Sequence, residues 1–173
     1  VALHIIIDGY NLIKNSPALS ALDRQDLQLG REALIDRLAG YKKIKSHKIT
    51  VVFDGAGAID AASSRDRIKG IQMVFSRRGQ SADAVIKKMA SKEREKALVV
   101  SSDRDVALAA ASFQSATISA AEFEARLALA DQMDSAGDAG DDEGGWVPTT
   151  RKKGPDRRLS KRRRRNRMKV RKL

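Results

Sequence analysis

Ile5-Ile6-Ile7-Asp8-Gly9-Tyr10-Asn11 is an apolar, β-branched run that breaks abruptly into an acid, a glycine and an amide. Such a run, bounded by turn formers and without polar alternation, reads as a strand covered on both faces, as in a parallel sheet. The pattern returns outward from it. Leu3–Ile7, Ile49–Phe53, Ile71–Phe75, Leu98–Ser101 and Ser115–Ile118 are short apolar runs separated by longer amphipathic stretches. That alternation predicts βαβ units and a mainly parallel sheet, an α/β fold.

The intervening stretches read as helices. Asp23 is expected to cap one beginning near Arg24, with Leu27, Leu34, Leu38 and Tyr41 on one face. A second starts near Ser81 and turns Val85, Ile86 and Met89 inward; Ser102 opens a third with Val106, Ala107 and Ala110 inward. Ser119 with Glu122 three residues on forms a capping-box pattern ahead of Phe123 and Leu127.

With 173 residues, 42% hydrophobic and only 4% aromatic, the chain suits one aliphatic core plus an appendage. Residues 1–133 are expected to form the domain, 134–145 an acidic Gly-rich linker, and 146–173 a flexible basic tail. Residues 151–173 hold 14 Lys/Arg against the single acid Asp156, so this tail accounts for +13 of the net +12 and leaves the rest at −1. A segregated basic tail of this kind binds phosphates with release of counterions. The absence of cysteine excludes thiolate nucleophiles and Cys-based zinc sites. No apolar stretch approaches the roughly 20 residues that span a bilayer, so a soluble, cytoplasmic protein is expected.

Strand ends decide the chemistry, because sites in parallel α/β sheets form at the carboxyl edge. The first strand ends in Asp8 and Asn11, the second in Asp54-Gly55, the fourth in Ser102-Asp103-Arg104-Asp105, and the third leads through Arg77-Arg78 to Ser81-Ala82-Asp83. Each acid alone has an ordinary reading. Asp8 and Asp54 suit turns, Asp83 suits a first helical turn, and Asp105 suits a cap. Their joint occurrence points instead to a shared divalent cation, with hard oxygen ligands favouring Mg²⁺ or Mn²⁺. Asn11 serves equally as a turn former or as a contact to bound water or phosphate. His4, within a strand, and His47, in a Lys-rich turn, are expected to be structural or solvated. A phosphatase using Asp8 as nucleophile lacks its second acid, because that position is Tyr10.

Taken in order, Ile5–Asn11, Val51-Val52-Phe53-Asp54-Gly55, Ser81-Ala82-Asp83 and Val99–Asp105 resemble the YacP-like branch of the NYN-domain ribonucleases, over roughly residues 3–130. The resemblance implies a PIN-like three-layer domain around a mainly parallel sheet. It also implies an Mg²⁺- or Mn²⁺-dependent endoribonuclease and, for some members, cleavage of messenger RNA at the ribosome. Carried over by position, Asp8, Asp83 and Asp103 form the metal-binding catalytic core. Asn11, Asp54 and Asp105 support it as ligands or loop organisers. Arg77 and Arg78 stand where the family usually has small or acidic residues, and are expected to contact RNA. The tract Arg162-Arg163-Arg164-Arg165 is expected to bind RNA phosphates, on the ribosome or elsewhere. A non-catalytic RNA-binding or ribosome-associated module on the same fold is the competing reading.

Overall fold

The computed structural model describes residues 2–55, 65–136 and 160–173. Strand β1 (His4–Asp8) leads into helices α1 (Gly9–Lys14), α2 (Pro17–Gln25) and α3 (Leu27–Ile44). Then come β2 (Lys48–Phe53), β3 (Arg65–Ile68), β4 (Ile71–Phe75), α4 (Ala82–Glu93), β5 (Ala97–Val100), α5 (Arg104–Ser112), β6 (Ala116–Ile118), α6 (Ala120–Ala136) and α7 (Lys161–Val170). The six strands form one sheet in the order β3-β4-β2-β1-β5-β6. All pairs are parallel except β3 with β4, so the fold is the mainly parallel α/β sandwich that the strand pattern implies.

The pleat divides the core. Ile5 and Ile7 of β1 face α1, α3 and α6 with Leu12, Leu34, Leu38, Phe123 and Leu127. Ile6 faces the other side with Val52, Val99, Ile86 and Val106 of β2, β5, α4 and α5. Successive side chains of a strand point to opposite faces, so a run of three isoleucines fills two separate cores. On the first face Arg37 of α3 ties down α6 through Glu124 at 2.7 Å and Asp131 at 2.8 Å.

Three local expectations are corrected. The long helix is α3, capped by Asp26, whose carboxylate accepts from the Gln28 N–H at 2.7 Å; Asp23 lies inside α2. Ser16 caps α2 and Pro17 occupies its first turn, a start signal that claims the preceding residues. Leu27, at the start of α3, is consequently 52% exposed rather than core. The helix after β5 is capped by Asp103, not Ser102. The additional strand β3 is exposed along its length and has no apolar signal; it forms by pairing with β4 across Lys69-Gly70, both at positive φ as a tight hairpin turn requires. Its charged side chains suit an outer edge.

Where a flexible tail is expected, residues 160–173 pack on the domain. Ser160 caps α7, and the Asn166 side-chain amide spans the free edge of β6: its Oδ1 accepts from the Thr117 N–H at 2.7 Å and its Nδ2 donates to the Thr117 carbonyl at 3.1 Å. Leu173 is 6% exposed within the first core, and its carbonyl accepts from the Tyr41 hydroxyl at 3.0 Å. Helix α6 takes in the first three residues of the expected linker. The remainder of that linker and residues 146–159 lie outside the described residues.

Docking of α7 has an energetic signature. Leu173→Ala leaves a core void and is expected to cost about 2–3 kcal/mol. Asn166→Ala strips both partners from a strand edge and is expected to cost about 1–2 kcal/mol. Urea unfolding of each variant checks this; a tail that floats free would leave both midpoints at the wild-type value.

Candidate active site

Strand β1 is where the connections change direction: the chain leaves it toward β2 on one side and returns through α4 to β5 on the other. The crevice beyond β1 and β5 is therefore the topological switch point. Parallel pairing sets Ile7 opposite Val100, so Asp8 and the Ser101-Ser102-Asp103 loop leave the sheet side by side. Asp83 enters from the first turn of α4.

Each acid also has a local task. Asp8 caps α1 with a long 3.4 Å bond from the Asn11 N–H. Oδ1 of Asp103 accepts from the Asp105 and Val106 N–H groups at 2.7 and 3.1 Å. Both acids are thus N-caps, which leaves a second carboxylate oxygen on each for other use.

Electrostatics join the three acids. Burial, followed by the charges of Asp83 and Asp103, pushes Asp8 from its ordinary 3.8 up to about 6, against the opposing Asn11 bond and Lys14. Asp83 is also raised, first by burial and then by Asp103, with smaller contributions from Asp105 and Asp54. These carboxylates repel one another in a partly desolvated notch, a situation that a cation relieves. Asp54 and Asp105 stand outside this trio. Asp54 accepts from Ser76 Oγ at 3.2 Å, and Asp105 is ion-paired with Lys87.

The oxygen-only donor set fits Mg²⁺ or Mn²⁺ in kind. Among the described residues, however, no three Asp, Glu or His side chains are gathered tightly enough to hold a metal ion by themselves. Mg²⁺ commonly retains several waters and uses few carboxylates, so an open arrangement remains compatible with it.

Asn11 organises the loops, one of the roles expected of it, and serines join it without a sequence signal for these bonds. Asn11 Oδ1 accepts from the Ser102 N–H at 2.8 Å, while Ser102 Oγ accepts from the Ala120 N–H at 3.2 Å. The loops after β1, β5 and β6 are thereby pinned together. Buried Ser76 accepts from the Gly55 N–H at 2.9 Å, and a Cβ on Gly55 would sit 2.0 Å from the Ser76 carbonyl oxygen. Only glycine permits this approach, which holds Gly55 against Ser76 next to Asp54.

Other candidate residues lie elsewhere. Arg77 and Arg78 are exposed on the β4–α4 loop, on the same side of the sheet as the acids. Arg162–Arg165 lie on α7; Arg165 pairs with Glu95, which precedes β5 at the opposite edge of the sheet. A cleft of about 900 Å³ between α7 and β6 is lined by Glu122, Arg163, Arg165 and Asn166, and the acids are outside it. His4 begins β1 and bonds to Thr50 at 2.8 Å, four residues or about 13 Å from Asp8. Histidine catalysis at the notch is therefore excluded for it. His47 accepts from the Leu3 N–H at 3.3 Å at that same far edge.

Comparison with known proteins agrees with this fold. The chain matches the uncharacterized protein YacP of Bacillus subtilis (strain 168) at 28% identity over 86 residues, 50% of each chain. The match therefore spans half of that relative's length. Two crystal structures of Rae1 (YacP) from Bacillus subtilis, one of a single-residue mutant, superpose with a TM-score of 0.64 at 22% identity; they cover 76% and 78% of this chain and 78% of theirs. At that identity the likeness concerns the fold. The model of the YacP-like NYN domain matches residues 5–172, and the chain belongs to that nuclease-like, RNA-related family.

Proposed function

We propose that this chain is a metal-dependent endoribonuclease that hydrolyses RNA phosphodiesters at the carboxyl edge of β1 and β5. The observation that carries the reading is the coupling of Asp8, Asp83 and Asp103 at the switch point, with Asp8 pushed up to about 6 by burial and by the other two. Family membership supports RNA as the substrate class. Messenger RNA on the cytoplasmic ribosome is the specific target suggested by the sequence resemblance.

Asp8, Asp83 and Asp103 would hold Mg²⁺ or Mn²⁺, with Asp54 and Asp105 on its margin. A bound ion would polarise the phosphoryl oxygen and lower the pKa of attacking water. Asn11 keeps Asp8 and the Asp103 loop in fixed relation through Ser102. Lys87 pairs with Asp105 beside the trio. Arg77 and Arg78, exposed beside the helix that carries Asp83, supply cations for the RNA backbone, and Arg162–Arg164 a more distant phosphate contact.

A non-catalytic RNA-binding module is favoured by one observation: the acids are not drawn together into a closed metal site. Cleavage separates the two readings. Wild-type protein with Mn²⁺ is expected to cut single-stranded RNA internally, whereas Asp83→Asn and chelated wild type are expected to fall at least about 100-fold, on the scale of lost electrostatic stabilisation. Equal cutting by wild type and Asp83→Asn would identify a contaminant and remove the enzyme reading.

Asp8 yields a second expectation, in metal-free protein. Its folded pKa lies above its ordinary value, so the native state binds the proton more tightly and stability falls as pH rises from about 4 to 6. The ionised carboxylate then costs on the order of 3 kcal/mol at neutral pH. Asp8→Asn retains an N-cap side chain. In chelator at pH 7.5 it is expected to raise the urea midpoint, with a much smaller gain at pH 4, and with Mn²⁺ in place of chelator it is expected to abolish cleavage. A destabilised variant at pH 7.5 would contradict the electrostatic account.

A further inference from the structure

Helix α3 carries two half-buried arginines six residues apart, and they are treated differently. Arg37 is paired with Glu124 and Asp131. Arg31 has no carboxylate within ion-pair distance among the described residues. Its guanidinium lies instead over three rings, 5.3 Å from the centroid of Phe75 and 5.6 Å from those of Tyr10 and Phe53. Its Nε donates to the Tyr10 hydroxyl at 2.9 Å, and Nη2 also donates there. The rings hold one another: Phe53 stacks on Phe75 at 5.6 Å and meets Tyr10 edge-on at 5.2 Å.

The position of this cluster gives it meaning. Tyr10 is two residues beyond Asp8, Phe53 immediately precedes Asp54, and Phe75 immediately precedes Ser76, which binds Asp54. The rings therefore lie at the carboxyl ends of β1, β2 and β4, and Arg31 leans over them from the α3 face. Neighbouring strands are about 4.8 Å apart, which puts Arg31 on the β2–β4 flank, within a nucleotide or two of Asp8. Asp103 follows β5 on the opposite flank, and Asp83 comes from α4 on the other face of the sheet. The cations that act on Asp8 and Asp83 are Lys14 and Lys87, and Arg31 is not among them.

A half-buried guanidinium fixed by rings and a hydroxyl, with no counter-ion among the described residues, is prepared for an anion. We propose that Arg31, oriented by Tyr10, Phe53 and Phe75, is an RNA-binding residue that grips a backbone phosphate one or two nucleotides from the bond cut at the notch. The inference rests on the ribonuclease reading above and adds to it the side of the sheet along which the strand enters. Nε and Nη2 take one edge of the fork to Tyr10, and Nη1 has no hydrogen bond among the described residues; a phosphate oxygen is its natural acceptor. The aromatic cluster keeps the fork in one orientation, so little freedom is lost on binding.

Binding by the full chain to a short labelled single-stranded oligoribonucleotide, followed by fluorescence anisotropy in chelator over a salt series, tests this. Arg31→Gln is expected to weaken binding about tenfold at low salt, the scale of a charged hydrogen bond. It should also flatten the dependence of log affinity on log salt by about 0.7, one phosphate on a single strand. Arg31→Lys should keep the wild-type slope with a partial loss of affinity, and Tyr10→Phe, which only frees the fork, should do the same. Wild-type affinity and slope in Arg31→Gln overturn the proposal, as does a lowered melting temperature with an unchanged slope, which marks a structural cation. If Arg31→Gln fails to fold, wild-type affinity in both remaining variants overturns it. Cleavage by wild type that is indifferent to Arg31 defeats this inference alone. Arg31-dependent binding without any cleavage defeats the nuclease reading and leaves the phosphate grip standing.

Discussion

Keeping Asp8 half-buried beside Asp83 and Asp103 sets three like charges against one another where water cannot fully screen them. Burial first, and then those charges, raise the pKa of Asp8, and the surrounding structure has to supply the offset. Two cores sandwich β1, and its isoleucines are fully buried on both faces. The strand end can therefore project a carboxylate into an unfavourable field without moving away from it. Helix N-termini contribute as well, since Asp8 and Asp103 cap α1 and α5, and Asp83 lies in the first turn of α4.

Around this strained centre the loops are connected rather than independent. Asn11 reaches Ser102, Ser102 reaches Ala120, and Ser76 reaches both Asp54 and Gly55. One polar chain thus links the exits of β1, β5 and β6, and another links those of β2 and β4. The same residues that look like ordinary turn formers set the spacing on which any shared ligand depends. Beneath them, Tyr10, Phe53 and Phe75 form a small aromatic floor in a chain with few aromatic residues.

The basic segment divides in two by function of its side chains. Asn166, Val170 and Leu173 turn toward the domain, so α7 covers the open edge of β6 with an amide that imitates a neighbouring strand. Arg162, Arg163 and Arg164 remain exposed. Glu95 engages Arg165 through its carboxylate and Lys169 through its carbonyl. The arginine tract is therefore carried on a helix with a fixed footing, which differs from a chain that searches for phosphate at random.

What the sequence determined by itself is local: apolar runs that end in acids, helical periodicity, and the ordered motifs that mark the family. These survive because burial alternation and capping operate over a few residues. Even there, the stronger Ser16-Pro17 start displaced the expected Asp23 cap, and β3 was invisible because hairpin pairing, not hydrophobicity, creates it. Only the tertiary structure decided that β1 neighbours β5, that Asp105 belongs to Lys87, that Arg31 lies over three rings, and that Asn166 closes a strand edge. Each of these joins residues from 18 to 93 positions apart; such pairs form only when the sheet order and the packing of both faces are fixed, and no local propensity encodes them.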